Sequence, residues 1–300
     1  MKNYFHIPVM LKEIIELLNI KKGGQYIDGT LGGGGYTRAI SQAIGERGKI
    51  LSIDLDPLAI DNFSKDKLEN VVVINDNFSN IKEVVLNNKK FLLKDKFDGI
   101  VVDLGLSSAQ LEDDERGFSF QHDSNLDMSF GPQIENSTYW IVNNYQPSDL
   151  ERIIKEYGEE SWARKIAEHI VVYRKKKRIE TTQELAEIIA GAIPRKFWAK
   201  RIHPATKTFQ ALRIETNQEL ESLKEFLPQA IELLDKGGRL VIVSFHSLED
   251  RIVKNYFRDL GRSENPNIKI LTPKPLIPGN QEIEENYRSR SAKLRAIEKI

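Results

Sequence analysis

The stretch from Gln25 to Tyr36, QYIDGTLGGGGY, constrains the fold more than any other part of the chain. A short apolar run ends at Asp28, four consecutive glycines follow at 32 to 35, and helical spacing resumes after Tyr36. Because glycine costs conformational entropy, a run of four predicts backbone that must approach something closely. The pattern predicts a strand, a glycine turn and a helix N-terminus around a bound ligand. A flexible surface loop is the structural alternative.

An acidic residue, Asp54, stands 20 positions after Gly34, at the end of the next apolar run, KILSID. An acid at this place can accept hydrogen bonds from both ribose hydroxyls of a nucleoside. The glycines do not have the dinucleotide spacing G-x-G-x-x-G, which argues against NAD and a dehydrogenase. With Asp28 just before the glycines, the stretch more closely resembles the turn by which class I methyltransferases bind S-adenosylmethionine.

The composition excludes several classes of protein. The chain has 300 residues and no cysteine, so disulfides and thiolate zinc sites are excluded. No segment approaches the roughly 18 apolar residues needed to span a bilayer, and the N-terminus lacks the apolar core of a signal peptide. We therefore expect a cytoplasmic protein that does not contact a membrane.

Charge is unevenly distributed although the formal net charge is zero. Residues 173–213 contain 11 Lys and Arg against three Glu, whereas residues 108–172 contain 13 Asp and Glu against five Lys and Arg. A concentrated basic sector in a neutral chain indicates a polyanionic partner, although a basic run is also typical of a solvated helix end.

Apolar runs and helical patterns alternate up to Asp103, which predicts an α/β fold with a parallel sheet covered on both faces. Acids at 28, 54, 76 and 103 follow the first four predicted strands, so we expect them on one edge of the sheet. Three further strands are predicted at residues 239–245, 267–271 and 292–298, after a helix kinked or divided at Pro228. Between the first four strands and these three we predict a helical insertion. It contains capping boxes that begin at Ser148 and Thr181.

Six stretches together resemble the bacterial MraW/RsmH methyltransferase family over nearly the whole chain. They read HIPVMLKEIIELL, DGTLGGGGYT, DGIVVDLGLSSAQLEDDERGFSF, HPATKTFQALRI, GGRLVIVSFHSLEDRIVK and SRSAKLRAIEK. The resemblance implies methylation of N4 of a cytidine in the decoding region of 16S ribosomal RNA by S-adenosylmethionine. It also implies a class I (Rossmann-like) fold with a mostly parallel seven-stranded sheet, formed by residues 1–109 and 208–300. The helical insertion, residues 110–207, would then bind RNA.

The resemblance also implies a set of cofactor-binding residues. Gly34, Gly35 and Tyr36 would lie beside the methionine moiety of S-adenosylmethionine, and Asp54 would bind the ribose. Phe78 would lie near the adenine, and Asp103 and Gln110 would close the pocket. The family commonly has histidine where this chain has Tyr36, so a contact through the backbone survives the change and one through an imidazole does not.

Methyl transfer is an in-line displacement that needs no metal ion and no covalent enzyme intermediate, so alignment and desolvation should supply most of the rate. Asp103 ends the strand where amino-methyltransferases usually keep an acid or amide, and it is a candidate catalytic residue. The sequence leaves open whether it binds the target amine or the cofactor amine. His246 is a second candidate, with a structural role before a capped helix as the alternative.

Candidate RNA contacts lie in the basic sector, at Lys175, Lys176, Lys177, His203, Lys207 and Arg213. A target base turned out of its stack also predicts an aromatic clamp, with candidates at Phe118, Phe120, Phe197 and Trp198. A methyltransferase of the same fold that acts on another RNA or a small molecule remains an alternative, as does a noncatalytic RNA-binding module. The sequence does not decide between a monomer and a homodimer, or between naked RNA and the assembled subunit as substrate.

Overall fold

The computed structural model describes residues 8–107, 110–111, 113, 115–132, 134, 136–200, 202–264 and 266–300. The chain forms two compact units. The first unit comprises Met1–Ser107 and Leu220–Ile300, and the second unit comprises Ser108–Glu219. Within the described ranges, no helix is sufficiently long and apolar to cross a membrane.

The first unit is built on a seven-stranded sheet. Its strands are β1 (Gln25–Asp28), β2 (Lys49–Asp54), β3 (Val71–Asn75), β4 (Phe97–Asp103), β5 (Leu234–Ser244), β6 (Ile268–Ile270) and β7 (Lys293–Lys299). Their spatial order is β3-β2-β1-β4-β5-β7-β6, and β7 runs antiparallel to both of its neighbours. All other pairs are parallel, with Ile27 of β1 paired to Leu51 and Ile100. The predicted mostly parallel seven-stranded sheet is therefore confirmed.

Helices cover both faces of this sheet. They are α1 (Leu11–Leu18), α2 (Gly35–Ile44), α3 (Pro57–Phe63), α4 (Ile81–Asn87), α10 (Glu219–Leu233), α11 (Ser247–Gly261) and α12 (Asn280–Glu285). Successive strand residues point to opposite faces. Tyr26 accordingly packs in a core with α1 and α2, whereas Ile27 packs in a core with α4, α10 and α11. Because β1, β2 and β4 are buried on both faces, their carboxyl ends are the parts accessible to a ligand.

The second unit is helical, as the sequence predicts. Its helices are α5 (Thr138–Asn144), α6 (Pro147–Glu156), α7 (Ala163–Arg174), α8 (Thr182–Ala192) and α9 (Thr206–Asn217). The placement of α9 differs from the predicted domain boundary at residue 208. Asn217 donates to Met128 O and accepts from Phe130 N, both at 2.8 Å, and Thr216 bonds Thr138 at 2.7 Å. These side-chain bonds tie α9 to the second unit.

Several local predictions need correction. Helix α6 begins at Pro147 after Gln146, so Ser148 is not its cap, because proline at the first helical position already sets the required φ. Thr181 does cap α8 by accepting from Glu184 N, but the Glu184 carboxylate bonds Glu180 N instead of closing the box. Pro228 lies inside an undivided α10.

Candidate active site

The glycine turn connects β1 to α2 and requires glycine for steric reasons. Gly34, the residue before α2, has a left-handed φ of 74°, which side chains rarely tolerate. A Cβ at Gly34 would lie 2.3 Å from the ring of Phe63, and one at Gly35 would lie 2.8 Å from Pro8. The sequence predicts that the glycines are needed because a ligand lies close to the backbone. In the structure, Phe63 and Pro8 also lie close to it and are a second reason for glycine.

Gly34→Ala is expected to destabilise the first unit by about 2 kcal/mol or more, because left-handed strain of about 1–2 kcal/mol adds to the contact with Phe63. Gly45→Ala is a matched control, since Gly45 has a φ of 71° and a Cβ added there would have no atom within 4 Å. Urea denaturation of both variants measures the difference. Equal loss in the two variants would show that the Phe63 contact is unimportant.

Asp28 at the end of β1 organises the turn from inside the protein. Its carboxylate is fully buried. It accepts hydrogen bonds from Thr37 Oγ1 at 2.7 Å and from Thr30 N at 3.2 Å. Burial raises its pKa to about 7, against the lowering effect of these hydrogen bonds. Thr30 and Thr37 are not among the residues predicted from the sequence, although both follow Asp28 within nine residues. Asp28 therefore supports the site without reaching its surface.

Asp54 joins the end of β2 to the glycine turn. Its Oδ2 accepts from Gly32 N at 2.6 Å, and its Oδ1 accepts from Asp56 N at 2.9 Å. The residue is half-buried. These two bonds hold the carboxylate against the start of the glycine turn. The predicted contact of Asp54 with the ribose stays a prediction.

Asp103 ends β4, and Tyr36 of α2 lies beside it. Among the described residues, the buried Oδ1 of Asp103 has no hydrogen-bond partner. Its Oδ2 lies 3.3 Å from the Tyr36 hydroxyl, which also donates to Val9 O at 2.6 Å. Burial raises the pKa of Asp103 to about 8, with Asp28 and Glu249 adding to the increase and Tyr36 opposing it. A buried carboxylate oxygen without a partner indicates a cationic or N–H ligand.

Asp76 and Phe78 both follow the end of β3. Asp76 follows β3, and its Oδ1 accepts from Asn77 N and the Asn80 side chain. Phe78 is half-buried and packs edge to face on Phe226, with 5.3 Å between ring centroids. A Cβ added to Gly29 in the glycine turn would lie 3.5 Å from the Phe78 Cβ. The structure thus brings the Phe78 side chain next to the turn, as a contact to adenine requires.

His246 forms the start of α11. Its Nδ1 accepts from Glu249 N at 3.4 Å, and Glu249 Oε2 accepts from the backbone N–H groups of His246 and Phe245. This reciprocal arrangement is a capping box. The His246 Nε2 lies 3.2 Å from Glu249 Oε1. These contacts give His246 a structural role at the start of the helix. Among the described residues its buried Nε2 has no hydrogen-bond partner, so its candidate role in catalysis stays a prediction.

The basic run at the end of α7 has two kinds of residue. Arg174 donates to Val142 O and Tyr145 O, and Arg178 donates to Asn143 O, so both bind carbonyls at the end of α5. Lys177 forms an ion pair with Glu184 at 3.1 Å. Lys175 and Lys176 are exposed. Of the three predicted lysines, these two are the ones best suited to contact phosphate.

The other predicted RNA contacts also differ among themselves. Arg213 forms a bidentate ion pair with Glu219 at 2.7 and 2.9 Å, and only 15% of its side chain is exposed. This pair favours a structural role for Arg213 over the predicted phosphate contact. Lys207 donates to Glu159 O, and the exposed His203 accepts from Ala205 N. Both remain candidates for RNA binding.

Gln110 and the predicted clamp residues belong to the second unit. Gln110 is buried, and its contact with the cofactor remains a prediction. Phe118 is buried and packs on Phe130, which is consistent with a core residue. Phe197 is 55% exposed. Trp198 donates its ring N–H to Ile193 O, which fixes its ring.

Four features of the first unit together define a class I methyltransferase. They are the strand order, the glycine turn, the acid at the end of β2 and the buried acid at the end of β4. The model of the MraW methylase family matches residues 3–300. The chain therefore belongs to the MraW methylase family, which confirms the resemblance found in the sequence. Such a methylase uses S-adenosylmethionine as its methyl donor, as predicted.

Curated relatives match over the full length. The chain is 46% identical over 311 residues to ribosomal RNA small subunit methyltransferase H of Clostridium botulinum (strain 657 / Type Ba4), which covers 98% of this chain and 99% of that protein. It is 44% identical over 317 residues to the protein of the same name from Geobacter sp. (strain M21), with complete coverage of both. An S-adenosylmethionine-dependent O-methyltransferase structure from Thermotoga maritima is 12% identical with a TM-score of 0.43, over 99% of this chain and 67% of that chain. Such a low score carries no functional argument.

Proposed function

We propose that the protein transfers a methyl group from S-adenosylmethionine to N4 of a cytidine in the decoding region of 16S ribosomal RNA, in the bacterial cytoplasm. The observation that carries the proposal is the unpartnered, buried Oδ1 of Asp103 at the carboxyl edge of the sheet, close to the glycine turn. The names of the full-length relatives support ribosomal RNA of the small subunit as the substrate class.

The proposal assigns the contacts with S-adenosylmethionine to the residues predicted from the sequence. Asp54 would accept both ribose hydroxyls, and the Gly34 and Gly35 backbone would lie beside the methionine moiety. Asp103 Oδ1 would accept from the ammonium group, and Phe78 would contact the adenine. The predicted contact of Gln110 with the cofactor is part of the same proposal. Tyr36 would contribute its backbone to the pocket, and its side chain would fix Asp103 through Oδ2.

The bound cofactor supplies a methyl group on a positively charged sulfur. The cytosine amine is a weak nucleophile because its lone pair is delocalised into the ring. The protein must therefore hold the amine in line with the methyl group and exclude water. As the N–C bond forms and the S–C bond breaks, the amine becomes cationic and loses a proton. Asp103 is the nearest candidate acceptor if it binds the amine instead of the ammonium group.

The proposal is tested in cells and with purified components. Small-subunit ribosomal RNA from cells that lack the protein should contain an unmethylated cytidine at one decoding-region position, detected by mass mapping of nucleosides. The wild-type gene should restore the modification, and Asp103→Asn should restore much less of it. A modification that persists in the deletion strain would reject this substrate. Methylation of a small molecule or another RNA by the purified protein would support one of the alternatives.

We predict that neutralising Lys175 and Lys176 together weakens RNA binding and lowers its salt slope by about two, because each lost phosphate contact removes about one unit of slope. Lys177→Ala is the matched comparison, and it should have a smaller effect because Lys177 already pairs with Glu184. Affinity for S-adenosylmethionine should not change. Filter binding at several salt concentrations measures the slopes, and an unaltered slope in the double variant would identify the run as a solvated helix end.

A further inference from the structure

An exposed aromatic cleft lies within the second unit, at the start of α7. It is lined by Ser161, Trp162, Arg164, Lys165 and Phe197 and has a volume of about 470 Å³. The Trp162 and Phe197 rings are in contact, with 5.2 Å between centroids and planes tilted by 45°. Phe197 is 55% exposed, so packing of the unit does not account for its position. Trp162 is half-buried. An exposed aromatic ring that packs on a half-buried one indicates a surface that a ligand covers.

Cationic side chains surround the two rings. Arg164 and Lys165 share one carboxylate, Glu168, at 3.1 and 2.9 Å. Lys196 Nζ lies 5.0 Å from the centroid of the Phe197 ring. Glu160 is a second acid at the cleft, because its carboxylate accepts from Trp162 N at 2.9 Å. Three cations against two carboxylates leave one positive charge. Residues 159–200 have ten Lys and Arg against six Glu, so this stretch of the second unit is net positive.

We propose that this aromatic cleft binds an unpaired nucleotide of the substrate RNA, with the base stacked on Phe197 and Trp162 and the adjoining phosphates on Arg164, Lys165 and Lys196. Single-stranded RNA is recognised by stacking on aromatic rings in a positively charged groove, whereas bases within a duplex are not available to stack. A neutral apolar partner would not account for the cations, and double-stranded RNA would not account for the rings. The inference rests on the proposed function for its choice of RNA.

Trp162 provides a direct probe. In a protein with Trp140→Phe and Trp198→Phe, Trp162 is the only tryptophan of the three in the sequence. An unstructured single-stranded RNA of mixed sequence should quench its fluorescence by stacking, and the same RNA annealed to its complement should not. Equal quenching by both forms, no quenching by either, or quenching by an acidic peptide in place of RNA would overturn the proposal.

Substitution of Phe197 separates stacking from packing. Phe197→Ala should weaken binding of the single-stranded RNA roughly five- to a hundredfold, the range for loss of one stacked base. Phe197→Leu should weaken RNA binding nearly as much, although leucine is also apolar. Phe197→Tyr, which keeps an aromatic ring, should bind RNA about as well as the wild type. Tyr287→Ala, which removes a 69% exposed aromatic residue of the first unit, serves as the control and should bind RNA normally. Wild-type affinity in Phe197→Leu would contradict stacking.

These measurements use RNA binding and fluorescence, not methylation. If the protein methylates something other than ribosomal RNA, the quenching and the dependence on Phe197 can still be observed. If ribosomal RNA is methylated but the cleft does not bind unpaired RNA, only the present inference fails. Affinity for S-adenosylmethionine, measured by calorimetry in the same variants, should equal that of the wild type.

Discussion

Asp54→Ala is expected to weaken binding of S-adenosylmethionine by at least about a hundredfold. Each hydrogen bond to a charged acceptor contributes roughly 1.5–3 kcal/mol, about 1.4 kcal/mol corresponds to a factor of ten, and both ribose bonds are lost together. The substitution also removes the acceptor for Gly32 N and Asp56 N, which fixes the turn. Calorimetry with the purified protein measures the change. Unchanged affinity, or a preference for NAD, would reject the assigned cofactor site.

Two controls separate the ribose contact from the support of the turn. Asp76→Ala removes a carboxylate from the same edge of the sheet and should leave cofactor affinity close to the wild-type value. An S-adenosylhomocysteine analogue without the 2′ and 3′ hydroxyls should bind the wild type more weakly than S-adenosylhomocysteine does. The Asp54→Ala variant should bind the two compounds about equally well. If the variant still discriminates against the analogue, another residue binds the ribose.

The sheet is predictable because its strands are buried on both faces. A buried parallel strand reads as a short apolar run, and the helix that follows has a different period, so alternation alone indicates the fold. The acids at 54 and 103 can be placed because they follow such runs directly. The sequence predicts the start of β5 five residues late, at Arg239 instead of Leu234, because Gly237 and Gly238 are typical of a helix end. In the structure the strand continues through both glycines.

The partners of individual side chains are not predictable, because they depend on contacts between distant parts of the chain. Gly34 needs glycine because Phe63, 29 residues later, packs against it. The sequence makes Arg213 a candidate for RNA binding, but its Nε and Nη2 donate to the Glu219 carboxylate. No pattern in the sequence distinguishes Lys177, which pairs with Glu184, from its two neighbours.

The boundary of the second unit shows the same limit. Helix α9 has an amphipathic pattern that would suit either unit, and the sequence analysis assigns most of it to the first. The polar side chains of Asn217 and Thr216 decide the matter by bonding backbone and side-chain groups near residues 128–138. Trp162 is a related case, since its exposed contact with Phe197 has no signature at the level of residue spacing.

Asp103→Asn is expected to weaken binding of S-adenosylmethionine by roughly ten- to a hundredfold, because the neutral amide replaces a charged acceptor for the ammonium group. Turnover should be partly restored at saturating cofactor. The alternative role, as acceptor for the cytosine amine, predicts the opposite result: near-normal cofactor affinity and a large fall in the single-turnover rate. Calorimetry and saturated single-turnover kinetics on the same variant distinguish the two, and the second result would contradict our assignment.

The pH dependence of binding provides an independent test of the same assignment. Without cofactor, burial raises the pKa of Asp103 to about 8, so the carboxyl group is mostly protonated at neutral pH. An ammonium group at Oδ1 favours the charged form, so binding must release a proton. Affinity should therefore rise with pH towards about 8 and fall at higher pH, because the α-amino group of the cofactor then loses its own proton. Asp103→Asn should remove the rise. Calorimetry in buffers with different ionisation enthalpies counts the released protons, and the same count in both proteins would show that Asp103 does not bind the ammonium group.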